Sequence, residues 1–112
     1  MQTRNLRDLV RFSPEGPVHR PLFETDRLWS ELVCLDRNQT VGPITDPESD
    51  ALLTVVAGEA VVFVGTRRRR VGQWETVLVP ARSELTVRNA SADPAVLLLV
   101  AAPPPVPRPV SG

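Results

Sequence analysis

Apolar residues in this chain come in short runs, rich in Val and Leu and cut repeatedly by Gly, Pro, Asn and Asp, and that punctuation decides the fold class. Runs of roughly four to eight β-branched and aliphatic residues bounded by turn formers suit strands and are too short for stable helices. They place strands at 6–12, 28–35, 51–57, 59–64, 67–71, 76–79, 84–88 and 95–101, and no segment carries a convincing helical period. The sequence Val64-Gly65-Thr66-Arg67 reads as a tight hairpin, because glycine takes the positive φ such turns need. Many short strands at regular spacing predict an all-β sandwich or barrel.

The strands are apolar on both faces. Within 51–57 one face carries Ala51, Leu53 and Val55 and the other Leu52, Thr54 and Val56. Within 59–64, Val61 and Phe63 stand opposite Ala60, Val62 and Val64. Such a sheet needs cover on both sides. A barrel interior supplies one cover; a second subunit or the N-terminal strands must supply the other. Symmetric pairing is the commonest solution for a small domain, so a homodimer is expected.

At 112 residues the chain is long enough for one core and too short for two. We read residues 1–102 as a single domain, with N-terminal strands and loops over 1–27 and the barrel proper over 28–102. Residues 103–112 hold five prolines, cannot join a sheet interior, and read as an extended surface tail. Thirteen acidic residues balance thirteen basic ones, so no excess charge steers the chain toward nucleic acid or an anionic membrane. No apolar run reaches membrane-spanning length, and the first eleven residues lack the pattern of a signal peptide. The lone Cys34 lies in an apolar stretch and reads as a free core thiol, which fits a reducing cytoplasm.

Two stretches resemble the motifs of the cupin superfamily. Asp50 followed by ALLTVVAGE is similar to the strand and Gly-Glu turn of the first cupin motif, and VLVPARSELTVRN, from Val77 to Asn89, is similar to the second. Gly58, Pro80 and Asn89 fall where the family pattern has Gly, Pro and Asn. The resemblance spans roughly Leu28 to Pro103 and implies a double-stranded β-helix, or jelly-roll barrel, with a pocket inside it.

A typical cupin holds a divalent metal with a His-x-His pair, a following glutamate and one histidine from the second motif. Counting back from Gly58 puts Ala51 at the glutamate and either Ile44 and Asp46, or Thr45 and Pro47, at the histidine pair. Counting forward from Pro80 puts Leu85 at the last histidine and Arg82 at the second motif's glycine. Only Asp46 offers a donor, whereas a transition metal needs several imidazoles or carboxylates. No metal and no other cofactor is therefore expected. Ala51, Leu53, Val55, Leu85 and Val87 should line an apolar pocket, with Trp74 and Glu31 as further candidates.

Other constellations have plain readings. Asp46, Glu48 and Asp50 alternate in DPESD, but the stretch lacks the glycine and long ligand series of calcium loops and reads as a solvated turn. His19, between Pro17 and Pro21, reads as a surface loop histidine with no nucleophile beside it in sequence. Arg67 to Arg70 lack interleaved aromatics and read as an exposed hairpin edge whose charges oppose edge-to-edge association, not as a nucleic-acid site. Trp29 and Trp74 are large apolar anchors for core or interface. Glu31 shares a strand face with Trp29 and Val33; facing inward it would be a buried carboxylate with a raised pKa, facing outward a surface charge.

These readings favour a metal-independent small-molecule-binding or structural module that pairs as a homodimer. The alternative is a metal-free acid/base enzyme drawing on Glu31, Glu75, Arg82 or Arg88, which requires two of these to converge on a cavity. A third reading is an oxygen-donor cation site at DPESD.

Overall fold

The computed structural model of the protein describes residues 1–105. One short helix, α1 (Leu6–Leu9), precedes nine strands: β1 (Val18–Glu24), β2 (Trp29–Leu35), β3 (Thr40–Ile44), β4 (Asp50–Ala57), β5 (Glu59–Val64), β6 (Arg67–Gly72), β7 (Thr76–Val79), β8 (Leu85–Arg88) and β9 (Ala95–Ala102). They form two antiparallel sheets, β1-β2-β9-β4-β7 and β3-β8-β5-β6, and the chain passes repeatedly from one to the other. This is the expected jelly roll.

Strand alternation sorts the apolar residues into two clusters. Leu53, Val55, Val62, Val87, Leu97 and Leu99 meet between the sheets, with Ala51, Val64 and Trp29 packed against them. On the outer face of the five-stranded sheet, Leu32, Cys34 and Val96 are covered by Leu22 of β1 and by Leu6, Leu9 and Val10. The N-terminal segment thus supplies part of the second cover. Burial pushes the Cys34 thiol pKa up, which keeps this fully buried sulfur protonated and inert. Among the described residues no helix is long and apolar enough to cross a membrane.

Three local expectations need correction. Residues 6–12 were expected as a strand, but Leu6, Leu9 and Val10 fall at i, i+3 and i+4, and that helical spacing turns all three onto the outer cluster. Asn5 caps the turn by accepting the Arg7 amide at 3.0 Å. β1 and β3 were not anticipated because they carry Pro21 and Gly42-Pro43. Both are sheet edges with irregular register, where a proline's missing N–H costs no interior ladder bond. His19 therefore lies on a strand and not in a loop.

Asn89, wholly buried after β8, ties the ends of three strands together. Its amide nitrogen donates to the carbonyls of Leu35, Asp36 and Asp93 at 3.1, 3.3 and 2.8 Å, and its Oδ1 accepts the Ser91 amide at 3.0 Å. The tail expected over 103–112 falls, from residue 106 onward, outside the described residues.

Candidate functional site

The end of β3, the start of β4 and the start of β8 converge at one end of the barrel. Ile44, Asp46, Ala51 and Leu85 meet there with Ser49, Val79 and Ala101 around a pocket of about 50 Å³. Liquid water occupies about 30 Å³ per molecule, so the space takes a water or two and no substrate. Of the two possible donor pairs, Ile44 and Asp46 line this pocket and Thr45 and Pro47 do not.

The side chains here do not fit a transition metal. Asp46 is the one carboxylate in the lining, and its Oδ1 already accepts the Glu48 and Ser49 amides at 2.8 and 2.7 Å. Among the described residues no three His, Cys, Asp or Glu side chains lie close enough to share an ion. The DPESD segment is built as a turn: beside the Asp46 bonds, Asp50 Oδ1 accepts the Ala81 amide at 2.9 Å. Arg82 keeps a left-handed backbone, φ 72°, and its amide donates to the Asp46 carbonyl at 2.7 Å. The loop conformation that favours glycine survives with arginine in it.

The remaining candidates separate. Leu53, Val55 and Val87 are fully buried in the packed interior and border neither this pocket nor the larger groove described next. Glu31 faces inward with Trp29 and Val33, but its Oε1 lies 2.9 Å from His19 Nδ1, making it an ion-pair partner rather than a lone buried acid. The His19 pKa is raised, chiefly by this hydrogen bond to Glu31, against a smaller opposing effect of burial. Trp74 is 75% exposed in the β6–β7 turn at φ 73°, so it anchors neither core nor pocket: the turn points it to solvent. Glu31, Glu75, Arg82 and Arg88 border neither cavity, and the convergence that an acid/base enzyme needs is not met by them.

The larger cavity is a groove of about 570 Å³ between the β5–β6 hairpin and β7, where the two sheets splay at their edges. Val62, Val64, Val71 and Val77 border it together with Arg67, Arg68 and Arg69. Sequence reading missed it because it lies between strands of different sheets. One signal was present: Arg67 and Arg69 share the parity of Val71, and they pair with Val64 and Val62 of the inner face.

A family model for the cupin domain matches residues 31–101. The chain belongs to the cupin family. Among solved structures, this cupin is similar to TT1209 from Thermus thermophilus, at 33% identity over 94% of this chain and 100% of that one, with a TM-score of 0.90. It is similar in fold to a conserved protein with a double-stranded β-helix domain from Klebsiella pneumoniae, at 18% identity over 92% and 90% of the two chains and a TM-score of 0.86. An RmlC-like cupin from Desulfovibrio desulfuricans aligns at 21% identity over 93% and 98%, with a TM-score of 0.83. No functionally curated protein matches the sequence. Family membership accounts for Gly58, Pro80 and Asn89 in the cupin's turns, and for the convergence of the four donor positions at one barrel end. It does not bring the donors themselves.

Proposed function

We propose that this cupin is a metal-independent, small-molecule-binding module that acts as a homodimer in a reducing, cytoplasmic setting. The observation that carries the metal-independent part is the filling of the donor positions by Ile44, Ala51 and Leu85 around a space of about 50 Å³. Oxygen activation or metal-assisted isomerisation needs several imidazole or carboxylate ligands and an open coordination position, and of the four donor positions only Asp46 carries a carboxylate. Binding is supported by the groove at the sheet edges, whose volume lies in the usual range for small-molecule sites, roughly 300–1,000 Å³.

Elemental analysis of the purified protein, with a thermal-shift series across manganese, iron, nickel and zinc, tests this reading. Substoichiometric metal and an unmoved melting temperature are expected; a stoichiometric transition metal overturns it. Leu85→His should not create tight nickel binding, because Ala51 and Ile44 would still supply no ligand.

A further inference from the structure

Jelly rolls bury the inner faces of their strands, and β6 departs from that rule. Ala60, Val62 and Val64 of β5 face inward, and their partners across the hairpin are Val71, Arg69 and Arg67. Two of three inward-facing positions on β6 are therefore cationic. Charge on an edge strand is a common guard against strand addition, but that role needs no cavity behind it. Here the arginines stand at the rim of a groove of about 570 Å³ whose other walls combine Val62, Val64, Val71 and Val77 with Leu78, Thr76 and Ser83.

The charges are not balanced within the groove. Arg67, Arg68 and Arg69 border it and no acidic side chain does. Arg70 is bound to Glu59, 2.8 Å away. Arg69 has a long contact with Glu75 at 3.7 Å. The side chain of Arg67 makes no hydrogen bond or ion pair with any described residue, and Arg69, the other inward-facing arginine, has only that long contact. Each guanidinium offers five donors in a planar fork that matches a carboxylate or phosphate. Aromatic side chains, on which nucleic-acid bases would stack, are absent from the lining.

We propose that the groove between the β5–β6 hairpin and β7 binds an amphiphilic oxyanion, a carboxylate or phosphate head held by Arg67 and Arg69, the two inward-facing arginines of β6, with an apolar body along Val64, Val71 and Val77. This rests on the binding-module reading above and names its ligand class. The apolar wall supplies contact area, and the arginines supply selection, since a neutral molecule of the same shape would leave their donors to water.

The test uses the full chain, labelled with nitrogen-15, titrated with decanoate, decyl phosphate and decanol as a neutral match. Both anions are expected to shift amide resonances of β5, β6 and β7, with decanol about tenfold weaker or more. The stronger of the two anions identifies the head group. Arg67→Ala with Arg69→Ala should weaken both anions about tenfold or more, leave decanol unchanged, and retain the native melting temperature, since both side chains are exposed. Equal binding of decanol and the anions, no binding of either anion, or an unchanged double variant overturns the inference. Shifts gathered instead about Ile44, Ala51 and Leu85 would move the ligand into the barrel: the groove would fall and the binding-module reading would survive. A stoichiometric transition metal in the same sample would remove the module reading with groove binding still standing.

Discussion

His19 and Glu31 show how a pair of residues with plain readings becomes informative once their strands are paired. His19 lies opposite Val33 and Glu31 opposite Pro21, so both side chains leave the β1–β2 ribbon on its inner face and meet at 2.9 Å. The folded His19 pKa is raised above its ordinary value of 6.5. The native state then holds the proton more tightly than the unfolded chain, so the pair's contribution is complete below pH 6.5 and is lost as pH rises through the folded pKa. With His19 45% exposed, solvent screens the pair, and its worth stays below about 1 kcal/mol. An NMR titration should find the imidazole pKa above 6.5, falling in Glu31→Gln, which should also flatten the melting temperature's response to pH in that window. A native value at or below 6.5 would show that the pair does not form. The sequence placed Glu31 on the correct strand face but could not supply its partner, because Pro17 and Pro21 disguise β1 as a loop.

Two turns test why these strands connect as they do. Gly58, between β4 and β5, has φ +75°, and a Cβ there would lie 2.4 Å from the Pro94 carbonyl oxygen and 3.0 Å from Ala95 Cα. Gly65, between β5 and β6, has φ +59° with open space around it. Gly65→Ala meets only the cost of a left-handed backbone, about 1 kcal/mol, whereas Gly58→Ala adds a backbone collision and should cost about 3 kcal/mol or more. Urea denaturation of both variants reads the difference directly; equal losses would mean that Gly58 is kept for conformation alone. Strands were legible where apolar runs between turn formers mark them well: the interior β5 and the edge strand β7, which carries no Pro or Gly, fall at the expected residues. The edge strands β1 and β3 were not, since an edge tolerates Pro and Gly and so loses the run that betrays a strand. The donor positions followed from the cupin resemblance by counting from Gly58 and Pro80, with the pair left open between Ile44 and Asp46 or Thr45 and Pro47. The groove was not, because β6 and β7 border it from different sheets and only topology brings them together.

At the scale of the molecule, the described residues leave an apolar row uncovered. Leu52 and Leu78 pair directly across β4 and β7, Val100 of β9 continues the row, and the two leucines are 47% and 61% exposed. Isolated exposed leucines are ordinary, but a row running over three adjacent strands forms a contiguous patch. The N-terminal segment covers the same sheet face around Leu32, Cys34 and Val96 and leaves this row open. A two-fold partner could instead add at a sheet edge, but β6 presents four consecutive arginines that would face their own copies across such a contact. The face is therefore the better route: a two-fold axis near Leu52 would set each row against its counterpart and exclude water from both. Light scattering coupled to gel filtration should give the dimer mass at micromolar protein. Leu52→Glu with Leu78→Glu should give the monomer mass with the circular dichroism spectrum unchanged, because both side chains already lie largely in solvent and the charges would repel across the axis. A monomer mass for the native chain overturns the homodimer, and a dimer that survives the double substitution moves its interface away from this face.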